Sequence, residues 1–132
     1  MSDPTNGEAL RFATDLPAHP VSVAVARNFV RGLRSCLDEE QLHRLELIMS
    51  EAVTNAIRYG SPQPGDRVDV ELVVTPASVS GSVHDRGPAF SPPTGVPRTD
   101  QIGGFGLHII GQLAATWALE RSELGNQVTF TL

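Results

Sequence analysis

No lysine occurs anywhere in the 132 residues, so all ten of the strongly basic side chains are arginine. A phosphate-binding P-loop needs a lysine and a Schiff-base enzyme needs an amine, so both classes are excluded. Any phosphate bound here is neutralised by arginine, by a metal, or by backbone N–H groups at a helix start. One cysteine, Cys36, rules out an internal disulfide and a cysteine-rich zinc site. It falls inside a helical pattern, where a buried free thiol is expected. No run approaches the roughly 18 apolar residues of a membrane span, and the N-terminus has no basic-then-apolar signal segment. A soluble, cytoplasmic protein with no membrane partner is therefore expected. Clustered positive charge is also missing: the net charge is −5, and direct nucleic-acid binding, which needs lysine and arginine to displace counterions, is disfavoured.

What is present suffices for one domain, since 40 % of the residues are hydrophobic and the length is that of a single folding unit. Residues 1–7 are polar and contain proline and glycine, and are expected to form a flexible terminus; the domain is expected over 8–132. A short strand is expected over Glu8 to Leu16. From Pro20, apolar residues recur at helical spacing through Val25, Phe29 and Leu33 to Leu37. Asp38 is a good N-cap, with Gln41 placed to complete a capping box, and Leu42, Leu45, Met49, Ala52, Val53 and Ala56 form one face of a second helix over about Glu39 to Tyr59. Ser61 to Gly65 breaks it. Alternation then predicts a hairpin with strands around Val68 to Val74 and Val79 to Val83. Helical spacing returns over Gly103 to Leu113, and Thr116 to Arg121 with Gln127 to Leu132 read as a closing hairpin. Trp117 and Phe130, on that hairpin, are expected in the core.

Between these elements lies the aperiodic stretch Arg86 to Gln101, with four prolines and two glycines, too long for an ordinary connection and typical of a lid or binding loop. It is flanked by three pieces that could carry chemistry. Glu51 and Asn55 are four residues apart on the second helix and share a face beside the apolar stripe. A carboxylate next to a side-chain carbonyl suits a hard cation and a proton acceptor, but the same pair also occurs on solvated helix faces. Asp85 and Gly87 end a strand, where the carboxylate could accept from an amino group, or simply end in a turn. Gly103, Gly104, Phe105, Gly106 and Leu107 open a helix, offering N–H groups to phosphate oxygens or serving as a hinge. His19, His43, His84 and His108 show no metal-ligand spacing.

In order and spacing the three pieces resemble the asparagine box and the first two glycine boxes of the GHKL ATPases, the Bergerat-fold superfamily that includes gyrase and histidine kinases. The string from Leu47 to Ile57, with Ser50-Glu51-Ala52-Val53-Thr54-Asn55-Ala56, resembles the anti-sigma factor serine/threonine-protein kinases of the RsbW and SpoIIAB kind. The resemblance covers about Glu8 to Leu132. It implies an α/β two-layer sandwich, with a mixed, largely antiparallel sheet covered on one face by three helices, binding ATP and Mg²⁺. It implies Glu51 as catalytic base, Asn55 as the Mg²⁺ ligand, Asp85 as the reader of the adenine amino group, with Gly87, and Gly103 to Leu107 at the phosphates beneath a lid. Arg98, and after it Arg86, are the candidates for the terminal phosphate. The implied activity is phosphorylation of a serine on a STAS-domain anti-anti-sigma partner, with a sigma factor as second partner; a homodimer is an expectation of the family alone.

This chain departs from the family pattern in two places. Gly87-Pro88-Ala89-Phe90 lacks the second glycine of the first glycine box, and Gly125-Asn126-Gln127 stands where the third usually has threonines. Two rivals remain: a non-catalytic module that binds nucleotide to set partner affinity, and the ATPase piece of a histidine kinase, for which the chain lacks a dimerisation helix pair and an acceptor histidine.

Overall fold

The computed structural model describes residues 9–60, 65–86, 102–122 and 125–132, with the backbone alone at 59–60, 102–107 and 122. In chain order it forms β1 (Leu10–Pro17), α1 (Val21–Arg31), α2 (Glu39–Asn55), a π-helical turn (Ala56–Gly60), β2 (Arg67–Val74), β3 (Val79–Asp85), α3 (Ile102–Leu113), β4 (Thr116–Ser122) and β5 (Gly125–Thr131).

The expected capping box starts α2. Gln41 N donates to Asp38 Oδ1 at 2.7 Å and Asp38 N donates to Gln41 Oε1 at 3.2 Å, so two otherwise unpaired N–H groups are met, while Glu39 and Glu40 sit favourably in the positive first turn. The first helix is shorter than its apolar spacing suggested. It stops at Arg31, and the chain proceeds through tight turns, with Leu33 N bonding Val30 O at 2.9 Å and Cys36 N bonding Leu33 O at 2.8 Å. Gly32 marks the end, as a residue that weakens a helix by about 1 kcal/mol relative to alanine. Leu33 and Leu37 stay buried, but Cys36, expected buried in that helix, lies outside it and is exposed.

The five strands run in the order β1-β2-β3-β5-β4, and every ladder between described strands is antiparallel. The sheet thus has the largely antiparallel character expected, with no parallel pair among the described strands. The reason is topological. A helical hairpin joins β1 to β2, which reverses the strand direction, and β5 inserts between β3 and β4, the two strands that a single-helix crossover would have left as parallel neighbours.

Helix α2 lies at the centre, packed on α1, α3 and β3. Its Leu45, Ile48, Met49, Ala52 and Val53 are buried with Val68, Val70 and Leu72 of β2, Val83 of β3 and Val128 and Phe130 of β5. Gly81 makes room for this packing: a Cβ there would lie 2.6 Å from Phe130 Cζ and 2.7 Å from a Leu72 methyl. Phe130 is core as expected. Trp117, directly opposite it on β4, is not; at the sheet edge it remains 39 % exposed, its ring against Gly111 of α3. Among the described residues the other sheet face has no helix on it and is polar. Among the described residues no helix is long and apolar enough to cross a membrane.

Candidate functional site

The capping box fixes where α2 begins, and so which residues its last turns present. Glu51 is half-buried beside the core stripe. Asn55, the final residue of α2, goes further than the sequence suggested: it does not border the core but lies within it, 3 % exposed. Its Nδ2 is a buried polar atom with no hydrogen-bond partner. Leaving such a group unmet costs about 1–3 kcal/mol, and native interiors rarely tolerate it without a reason. Immediately after Asn55 the helix widens into the π turn Ala56–Gly60, a local distortion that recurs at functional sites. That turn packs on β3 and β5.

Those two strands carry the second part of the site. Asp85 ends β3 on the helix-covered face, 2 % exposed, and faces Asn126 of β5, 1 % exposed. Asn126 Nδ2 donates to Asp85 Oδ1 at 3.0 Å. Burying a carboxyl group away from water costs free energy, which this hydrogen bond offsets in part. The close approach of the strands depends on Gly125, whose φ is +120° and whose added Cβ would collide with the Asp85 carbonyl oxygen; at that φ glycine alone is unstrained.

The third part is α3, which packs on α2. Gly103, Gly104, Phe105, Gly106 and Leu107 belong to the helix itself, which already starts at Ile102, so this run is the opening of the helix and not a loop ahead of it. The unpaired N–H groups of a helix's first turn therefore fall on this run and point toward its N-terminal end. Gly87, Arg98 and the expected lid before Ile102 lie outside the described residues, as does the expected flexible terminus.

Arg86 is not at this site. Its guanidinium donates to Asp69 Oδ2 at 3.1 Å, and Asp69 lies on the open face of the sheet, next to His84 with Nδ1 at 3.7 Å. Arg58 was missed by the sequence reading. It stands seven residues after Glu51 and three after Asn55, in the π turn, exposed, and among the described residues no ion pair holds it. Extending the Glu51, Asn55 spacing by one more turn would have found it. Asn126 was read only as a departure from the family pattern; its partner is an aspartate 41 residues earlier in the chain, which local spacing cannot reveal.

These residues fit Mg²⁺ and a nucleotide. The unpartnered Asn55 amide can turn its oxygen toward a hard cation or its NH₂ toward a phosphate oxygen, and Asp85 offers a buried acceptor. A concavity of about 730 Å³ lies elsewhere, on the open face among Asp69, Glu71, Ser82, His84 and Glu120. It touches none of Glu51, Asn55 and Asp85. Two of its three carboxylates, Asp69 and Glu71, are already paired with arginines, and the unmet amide of Asn55 is the stronger sign of a ligand.

A search of curated protein sequences found no match. Among solved structures the chain is similar to the histidine kinase domain from the Erythrobacter litoralis EL346 blue-light activated histidine kinase, with a TM-score of 0.56 and 18 % identity. The likeness covers 89 % of this chain and 61 % of that one, so this chain spans under two thirds of that structure. At this identity it shows a shared fold. The family model for the histidine kinase-like ATPase domain matches residues 16–132, a span containing Glu51, Asn55, Asp85 and the α3 glycines, and the chain belongs to that family of the GHKL superfamily, whose ligand is ATP.

Proposed function

We propose that this domain is an ATP-dependent serine-protein kinase of the anti-sigma factor type, which transfers phosphate to a serine of a STAS-domain partner and holds a sigma factor in the alternate state of that switch. The observation that carries the nucleotide part of this reading is Asn55, a core amide with no partner, one turn after Glu51. The specific kinase class rests on the Leu47 to Ile57 string.

Each residue has its task. Asp85 accepts from the adenine amino group. The first turn of α3 directs N–H groups at phosphate oxygens, and Arg58, with Arg98, adds positive charge. Asn55 would hold Mg²⁺, which would supply positive charge to offset that of the phosphates. Glu51 accepts the proton of the attacking serine hydroxyl, whose oxygen bonds to the terminal phosphorus as the bond to the ADP oxygen breaks.

Glu51 and Asn55 sit on one helix face with different tasks, so their variants fail differently. Asn55→Ala is expected to weaken Mg·ATP binding while affecting metal-free nucleotide less. Glu51→Ala is expected to keep ATP affinity within several-fold and to slow transfer by on the order of 10² to 10⁴. Calorimetric titration with and without Mg²⁺, together with single-turnover phosphorylation of the serine-bearing partner, measures both. Transfer at the wild-type rate by Glu51→Ala ends the general-base assignment. A wild-type protein that binds partner and ATP but transfers nothing is the non-catalytic module instead.

A further inference from the structure

The sheet ends in β1 on one side and β4 on the other, and among the described residues no strand pairs with the outer edge of either. An antiparallel strand turns the N–H and C=O of alternate residues to opposite sides, so one ladder bond shows which residues face outward. Ala18 N donates to Asp66 O at 2.8 Å, in the register of β1 with β2. The outward set of β1 is therefore Arg11, Ala13, Asp15 and Pro17. Two charged residues and one without an N–H guard that edge against a further strand. At the other side, Leu132 N donates to Val79 O at 2.9 Å, which turns Phe130 and Val128 to β3 and leaves Thr131, Thr129 and Gln127 facing β4. Their partners are Thr116, Ala118 and Glu120, so Trp117 and Leu119 direct their backbone groups outward. The middle of this edge is Trp-Ala-Leu, with no proline and no charge. It is the unguarded edge of the two.

We infer that the β4 edge pairs antiparallel with the same edge of a second copy of this chain, centred on Ala118. Identical edges that pair in this way are related by a two-fold axis perpendicular to the sheet, and outward residues must then oppose outward residues to exchange hydrogen bonds. Centring on Ala118 meets that condition. It sets Trp117 opposite the partner's Leu119 and Leu119 opposite the partner's Trp117, an aromatic against an aliphatic side chain twice over. Ala118 meets the partner's Ala118 at the axis in a non-hydrogen-bonded pair, the closer type, where a small side chain fits. Glu120 falls opposite the partner's Thr116, so no like charges face each other, whereas centring on Glu120 would oppose two carboxylates. Trp117 is already braced for such a contact: its ring lies against Gly111 of α3, where a Cβ would come within 3.0 Å of Nε1, and 39 % of it is left for a partner to cover. The pairing is independent of the nucleotide reading.

The test is sedimentation velocity of the full chain over a concentration series. One short strand pair makes a small interface, so wild type is expected to pass from monomer to dimer, and no further, between roughly 10 μM and 1 mM. Ala118→Lys opposes two like charges at the axis, yet Ala118 is exposed on the open face, so this variant is expected to melt like wild-type monomer and to stay monomeric throughout. The register is read by cross-linking in a Cys36→Ser background, which removes the one native thiol. Ala118→Cys is expected to form an intermolecular disulfide under mild oxidation, because the two Cβ atoms lie about 4.5–5.5 Å apart in such a pair. Glu120→Cys, whose copies stand four residues out of register, is expected to form none. A wild type that is monomeric at about 1 mM, an open-ended series of oligomers, or an Ala118→Lys protein that dimerises as wild type does overturns the inference. Equal cross-linking at the two positions overturns it as well.

Discussion

Along β2 the two faces of the sheet alternate residue by residue: Val68, Val70, Leu72 and Val74 lie beneath the helices, while Arg67, Asp69 and Glu71 point to the open side. On the open face the charges are neutralised across strands. Arg11 pairs with Glu71, Arg67 with Asp15 and Arg86 with Asp69, at 3.1–3.2 Å. These groups are well exposed, and such pairs contribute little. On the covered face the polar groups Asn55, Asp85 and Asn126 are nearly inaccessible, and one of them has an amide nitrogen with no partner. The open face has many charges with small consequences; the covered face has few polar groups, each with a large one. Under the proposed function, the ligand-directed groups lie where burial makes polarity costly, not where polarity is abundant.

The comparison breaks most readily in the core. Phe130→Ala is expected to lose about 3–5 kcal/mol of stability by chemical denaturation, whereas Thr129→Ala, next in sequence but on the open face, is expected to stay within about 0.5 kcal/mol of wild type. Equal losses at the two positions would dissolve the distinction between the faces. Next in size is Gly125→Ala, which combines a positive φ with a collision at the Asp85 carbonyl. A loss of roughly 2–4 kcal/mol follows from backbone strain plus overpacking. An unchanged unfolding midpoint would mean that β5 does not approach β3 as closely as described.

A smaller effect, of opposite sign, sharpens the contrast. Asn55→Leu replaces an unmet buried amide by an apolar group of similar shape, so without nucleotide the variant is expected to equal or exceed wild type by up to about 1 kcal/mol. Mg·ATP is expected to raise the melting temperature of wild type, and that rise should vanish in the variant. Marked destabilisation of the nucleotide-free variant would show that Asn55 serves the fold. The smallest effect belongs to Asp15, whose carboxyl is held below its ordinary value of 3.8 by the hydrogen bond from Arg67 and by that residue's charge. Because the native state depresses this carboxyl, its contribution is present above 3.8 and is lost as the pH falls through the depressed value. Full exposure makes the contribution slight. Melts of Asp15→Asn should fall marginally below wild type at neutral pH and coincide with it in acid; a large gap at neutral pH would contradict the weakness assigned to the open face.

Much of this was legible along the chain. Asp38 and Gln41 announced the start of α2, the valines of β2 and β3 announced their strands by alternation, and Glu51 with Asn55 announced a shared helix face. These signals are local, a few residues in range, and follow from backbone periodicity and capping geometry. Boundaries were less legible where two local signals conflicted. The apolar spacing toward Leu37 argued for continuing α1, and Gly32 ended it while Leu33 and Leu37 still reached the core, carrying Cys36 out to solvent. Trp117 read as core by its type, but a strand at the edge of a sheet cannot enclose it.

By itself, then, the sequence determined the elements, the absence of lysine chemistry, and the candidates Glu51, Asn55 and Asp85, because each depends on residue type and on spacing within one element. The tertiary structure alone decided that Asn55 is fully enclosed, that Arg86 turns to the open face, and that Asn126 holds Asp85. Burial and pairing are properties of surfaces brought together from distant parts of the chain, and the insertion of β5 between β3 and β4 is what joins residues 85 and 126.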